Sequence, residues 1–237
     1  FTFEEVDLVN DLGVEFFKVA SMDINNLTLL KYMAKFNKPM VLSTGMATLG
    51  EIESAIKVIE NEDNYKIVLL HCIAIYPPKN KDINLRNIRM MQKVFRYPVG
   101  FSDHSIGFTI PLASVPLGVC IIEKHFTTDK NLPGWDHEIS ANPEEMKIIV
   151  DGSKNIHESL GQFGRVVSED EQQQKKKFRR SIFVNRELKK GDILTEGDVS
   201  FQRPGTGIPP NELKYIIGKT VNKNLNDEHL LTLDDLI

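Results

Sequence analysis

Val99-Gly-Phe-Ser-Asp-His-Ser105 and Val119-Cys-Ile-Ile-Glu-Lys-His-Phe126 decide the architecture of this chain. Each is a short apolar run that ends in polar, chemically capable residues, and the segment between them, 106–118, is apolar and of helix length. Strand, helix, strand in that order is a crossover unit. It lays the strands parallel and brings His104 and His125 to the same end of neighbours. Adjacent strands lie about 4.8 Å apart, so both imidazoles are within reach of one divalent ion at about 2.1 Å per bond. Ordinary hydrogen-bonded histidines are the other reading of the pair. Two imidazoles are too few for a closed structural site, so an ion held there keeps open positions. Glu123 shares the strand parity of His125, which makes it a third ligand or the partner of Lys18.

Upstream the pattern repeats. Strands are predicted at 16–21, 40–45 and 67–73, and helices at 4–12, 27–36, 49–60 and 85–94. Thr48 with Glu51 reads as a capping box for the third helix. Strands that are apolar throughout, separated by helices and without hairpin signals, describe a parallel α/β sheet buried on both faces. The strand spacing is that of a (β/α)8 TIM barrel of about 250 residues. The strand ends carry Lys18 and Ser21, Ser43 and Thr44, His71, then Ser102, Asp103 and His104, and finally Glu123 and His125. In a barrel these converge on one mouth.

Lys18 has the parity of Phe16 and is expected to point inward, where an ammonium needs a carboxylate or a substrate phosphate. Ser21, Ser43 and Thr44 add hydroxyls, and Gly45 permits close backbone approach; strand-end and cap chemistry is the plainer account of these. After His125 a loop at 127–142 carries Trp135, Asp136 and His137, followed by a helix predicted over 143–160. His157 and His229 receive no role.

The 237 residues carry a net charge of −4, which offers no general attraction for nucleic acid. No apolar run reaches the roughly 20 residues of a membrane span. The two cysteines, Cys72 and Cys120, lie in apolar runs and read as buried free thiols, as in a reducing, cytoplasmic setting. Glu169 to Arg180 swings from acidic to basic, and 166–179 reads as an exposed linker or frayed helix. Beyond them, 180–237 has the short strands and tight turns of a small β-rich module, with Asp198 and Asn211 as expected caps. A module of that size is near the lower limit for folding alone and is expected to dock. The division predicted is therefore 1–165, 166–179 and 180–237.

Phe17-Lys-Val-Ala-Ser21, Leu42-Ser-Thr-Gly-Met46, Leu70-His-Cys72 with Tyr76-Pro77, Gly100-Phe-Ser-Asp-His104, Glu123-Lys-His-Phe126 and Gly134-Trp-Asp-His137 occur in this order. Together they resemble the sialic acid synthase family, which includes N-acetylneuraminate, legionaminate and pseudaminate synthases. The terminal module, with Ile193-Leu-Thr and Arg203-Pro-Gly, resembles that family's antifreeze-like SAF domain. The resemblance implies condensation of phosphoenolpyruvate with an N-acyl hexosamine such as N-acetylmannosamine. It implies a divalent ion, Mn2+ foremost with Mg2+ or Co2+ possible, on His104 and His125. It places Lys18, Ser21 and Ser43 at the phosphate, Tyr76 and Ser102 at the phosphoenolpyruvate carboxylate, and Asp136 at the sugar hydroxyls. Arg203 is implied to reach the N-acyl group from a partner subunit, hence a domain-swapped homodimer. Ala74 stands where several relatives carry a polar residue. In the family, three further strands, the first ending in a catalytic Glu, precede the point where this sequence starts.

Two other readings stay open on the residues alone. One is a catalytically incomplete half-barrel acting as a carbohydrate-binding module. The other is a different phosphoenolpyruvate-dependent synthase or a Schiff-base aldolase using Lys18.

Overall fold

A computed structural model describes residues 2–237. Its internal packing divides the chain after Gln162, with the second unit running Phe163–Ile237.

In the first unit, Thr2 caps α1 (Phe3–Asp11) and accepts from the Glu5 N–H. The chain then alternates: β1 (Phe17–Val19), α2 (Leu27–Ala34), β2 (Met40–Ser43), α3 (Leu49–Glu60) and β3 (Ile67–Cys72). The capping box at α3 forms as predicted, with Thr48 Oγ1 accepting from Glu51 N at 3.3 Å and Thr48 N donating to the Glu51 carboxylate at 2.7 Å. Next come α4 (Asn80–Ile83), α5 (Arg86–Phe95), β4 (Val99–Asp103), α6 (Thr109–Ser114), β5 (Ile122–Lys124) and α7 (Pro143–Leu160). The helix expected over 85–94 begins one residue late, and the one-turn α4 was not anticipated. Asn84, in the left-handed region, separates α4 from α5.

The five strands pair in sequence order, all parallel. Fully buried Leu30, Met40, Leu42, Ile59, Leu69 and Ile88 belong to one continuous core. Burial on both faces is what the unbroken apolar strands require. The sheet is curled: the side chains of Lys18 on β1 and Glu123 on β5 meet at 3.5 Å. This is the half-barrel form of the expected (β/α) architecture. Gly100 is needed at the curl, because a Cβ there would lie 2.5 Å from Leu70 Cδ2 and 2.7 Å from the Ile121 carbonyl.

Expectations from the strand runs fail at His71 and Cys120. His71 does not join the mouth. Its register partner is Phe101, it stacks on that ring, and its Nε2 lies 2.6 Å from the Ile83 carbonyl, so it faces the helix layer. Cys120 is exposed rather than buried, because β5 begins only at Ile122 and lies at the sheet's edge.

The second unit opens with α8 (Glu169–Phe178), capped by Ser168. Three acids in its first turn and three lysines in its last oppose the helix dipole. The segment predicted as linker or frayed helix is therefore a capped helix, with no buried residue. β6 (Ser181–Val184) and β7 (Val199–Gln202) pair antiparallel, and α9 (Leu213–Ile216) follows.

This unit is duplicated internally, which the sequence reading missed. Val184-Asn-Arg186, Leu188, Leu194-Thr195 and Asp198 recur at one constant offset as Val221-Asn-Lys223, Leu225, Leu231-Thr232 and Asp235. The hydrogen bonds are mirrored as well. Leu188 N donates to Leu225 O at 2.9 Å and Leu225 N returns to Leu188 O at 2.8 Å. Val184 N to His229 O matches Val221 N to Asp192 O, and Asn185 N to Asp198 O matches Asn222 N to Asp235 O. Both aspartates are buried and each is paired with a cation, Arg186 or Lys223. Asp198 is thus the last residue of a short turn capped by Thr195, not the cap itself, and Asn211 lies inside the turn Pro210–Glu212.

Candidate active site

The C-terminal ends of the five strands supply the site. Strand alternation sends Ser43, Cys72, Ser102 and Glu123 to one face, where a polar track runs across the curl. Ser102 Oγ donates to Glu123 Oε1 at 2.7 Å, the other carboxylate oxygen faces Lys18 Nζ at 3.5 Å, and Lys18 donates to Ser43 Oγ at 2.8 Å. Glu123 is thus the partner of Lys18 that the sequence offered as one alternative. Lys18 itself is not buried as expected; its side chain is 32% exposed, since the concave face of the curl is open there.

Beside this track, Ser21 Oγ accepts the Gly45 N–H at 3.1 Å and lies 3.6 Å from Cys72 Sγ. A Cβ on Gly45 would stand 2.7 Å from that hydroxyl, so glycine is what lets the β2 loop close on Ser21. Thr44 turns away and donates to the Leu70 carbonyl.

At the rim, the rings of His104 and His125 face each other with centroids 5.1 Å apart. Tyr76 covers both, at 4.1 Å from His104 and 5.7 Å from His125. His104 Nδ1 lies 2.9 Å from the Ile73 carbonyl, so that nitrogen carries the proton and Nε2 is the ring's basic nitrogen. Burial pushes the His104 pKa down, the Ile73 contact opposes it, and the neighbouring His125 lowers it further. His125 Nδ1 faces Asp136 Oδ2 at 3.6 Å, which draws the loop after β5 onto the site. Burial, then the neighbouring Cys72, Asp136 and Glu123, hold the Tyr76 phenol above its ordinary range. His137 bonds Thr127 Oγ1 at 2.8 Å and fastens its own loop, while Trp135 stands exposed.

Two facing imidazoles, with His104 Nδ1 held by the Ile73 carbonyl and His125 Nδ1 turned toward Asp136, are a donor pair that suits a catalytic divalent ion. Among the described residues no three His, Cys, Asp or Glu side chains gather into a closed ligand set. The residues the sequence reading missed at the site are Cys72, the Ile73 carbonyl and Lys124; Asp103, expected at the mouth, instead turns to the helix side of the sheet, where it pairs with Lys124. Arg203 belongs to the second unit, where its guanidinium lies 5.2 Å from the Phe178 ring centroid. No helix among the described residues is long and apolar enough to cross a membrane.

Residues 1–165 match the NeuB family model, and residues 179–237 match the SAF domain model. The chain belongs to the NeuB family. Its relatives include the N,N'-diacetyllegionaminic acid synthase of Campylobacter jejuni, 40% identical over 233 residues, covering 98% of this chain and 70% of that protein. An uncharacterized protein of Methanocaldococcus jannaschii is 41% identical over 98% of this chain and 69% of its own. The crystal structure of the spore coat polysaccharide biosynthesis protein SpsE of Bacillus subtilis superposes with a TM-score of 0.66 at 34% identity. It covers 99% of this chain and 71% of its own. This NeuB-family chain therefore spans about two thirds of the length of the relatives it matches.

Proposed function

We propose that this NeuB-family chain joins phosphoenolpyruvate to an N-acyl hexosamine of the N-acetylmannosamine kind, giving a nine-carbon 2-keto acid and phosphate. The observation that carries this reading is the polar track Ser102–Glu123–Lys18–Ser43 beside the facing His104 and His125. It supplies an anion site and an electrophile site at one mouth.

Lys18, Ser43 and Ser21 hold the phosphate. Glu123 holds the Lys18 ammonium in place, and Ser102 and Tyr76 lie toward the carboxylate. Asp136 orients the sugar through its hydroxyls. His104 and His125 would hold a divalent ion, Mn2+ foremost, which when bound supplies Lewis-acid polarisation of the sugar aldehyde. Carbon 3 of phosphoenolpyruvate forms the new bond to the aldehyde carbon, whose oxygen becomes a hydroxyl. Water adds at carbon 2, and the tetrahedral centre expels phosphate to leave the ketone. Arg203 reaches the N-acyl group from the terminal unit of a partner subunit, so the working form is a domain-swapped homodimer in the cytoplasm.

Three acceptors, Ser43 Oγ, the Val19 carbonyl and Glu123, tie Lys18 Nζ into the track, which speaks against a free amine poised to form a Schiff base. The test is phosphate release by the full-length protein. Release that needs phosphoenolpyruvate, an N-acyl hexosamine and Mn2+ together supports the reading. Trapping of Lys18 by borohydride with pyruvate, or no release with any N-acyl hexosamine, overturns it.

A further inference from the structure

Asp103 and Lys124 are register partners on β4 and β5. The pairs on either side of them along the two strands are Ser102 with Glu123 and, one residue on, His104 with His125. Alternation sends those neighbours to the concave face and Asp103 and Lys124 to the opposite one. There the two side chains form an ion pair of 2.7 Å, each only 1% exposed. Asp103 Oδ1 also accepts the Ser105 N–H at 3.0 Å, and Lys124 Nζ donates to the Ser105 carbonyl. Both backbone polar groups of Ser105 are thereby held by the pair. His104 is strung between two fixed residues, and His125 directly follows Lys124.

A buried ion pair is a poor device for stability, since apolar residues of similar volume do as well or better. It is a good device for fixing a register and an angle. We propose that Asp103 and Lys124 are positioning residues that set the spacing and facing of the His104 and His125 rings from behind the sheet. The consequence for a metal rests on the function proposed above, but the consequence for the rings does not.

The double variant Asp103→Asn with Lys124→Met leaves no unpaired buried charge. In the full-length protein it is expected to melt within a few degrees of the wild type. It should lose the nuclear Overhauser contacts between the His104 and His125 rings and bind Mn2+ roughly tenfold or more weakly. Intact ring contacts with unchanged Mn2+ affinity overturn the proposal. Lys124→Arg, which keeps the charge but not the reach to Ser105, is expected to show a smaller change in the same direction. If both variants fail to fold, the pair is a requirement of the sheet rather than of the site, and the proposal also falls. A wild-type protein that shows the ring contacts and no saturable Mn2+ binding removes the metal reading instead, leaving the ring contacts of the double variant to decide the positioning role.

Discussion

Lys18 on β1 and Glu123 on β5 stand 3.5 Å apart although β2, β3 and β4 lie between them in the sheet. Flat strands at about 4.8 Å spacing would put their backbones about 19 Å apart, beyond the reach of the two side chains. The contact therefore reports the curl, and the curl makes a mouth out of separate strand ends. The pair is partly exposed, so its contribution to stability is small, about 1 kcal/mol or less. Lys18→Met is expected to leave the melting temperature nearly unchanged while lowering kcat/KM for phosphoenolpyruvate about 100-fold. Equal losses of stability and activity would make Lys18 a structural residue.

Each imidazole at the rim is expected to be necessary. His125→Ala should abolish metal-dependent phosphate release and leave folding intact, because His125 is half-buried and joined to its surroundings through Asp136 and ring contacts. Retained release with the same Mn2+ dependence would exclude it as a ligand.

Gly45 can be tested through Ser21. Gly45→Ala places a methyl 2.7 Å from Ser21 Oγ and 3.1 Å from Ala74 Cβ. One side must move, at a cost of about 1–3 kcal/mol. The expected result is a raised KM for phosphoenolpyruvate with little change in that for the sugar, measured by initial rates. A larger effect on the sugar would move Ser21 out of the phosphate site.

The duplicated aspartates should shape the acid limb of stability. Burial alone would raise the Asp235 pKa, but Lys223 and Thr232, followed by His229, outweigh it and hold it down to about 2 from an ordinary 3.8. A carboxylate depressed in the folded state stabilises fully above its ordinary value, and the stabilisation is lost as pH falls from there toward 2. That is about 2 kcal/mol. Asp235→Asn should therefore flatten the loss of terminal-unit stability between pH 4 and 2, followed by amide exchange. An unchanged slope would assign the acid limb to other carboxylates.

Arg203→Ala should raise the KM for the sugar about tenfold or more, the scale of a lost charged hydrogen bond, with that for phosphoenolpyruvate little altered. Equal changes in both would place Arg203 elsewhere than at the N-acyl group.

Much of this was legible before the structure. Thr48 and Glu51 give the start of α3, because caps are local chemistry. His104 with His125 follows from strand order alone. His71 and Cys120 were misjudged because an apolar run shows that a strand is covered, not which face a given residue takes or where pairing begins. Asp103 and Lys124 were overlooked as a pair because each sits beside a more eye-catching histidine, and only the register puts them together. The duplication of the terminal unit was hidden by its spacing, since the identical residues are few and scattered between turns.

That duplication makes the terminal unit a dimer within one polypeptide. Its halves exchange the same bonds across an internal dyad at Leu188 and Leu225, as two copies do in an isologous interface. Arg203 lies in the stretch joining the halves, outside the repeated positions. The frame is thus bound by its own symmetry, and the connecting stretch is not. Substitutions in that stretch leave the repeated bonds untouched, so it is free to vary while the twofold scaffold holds still.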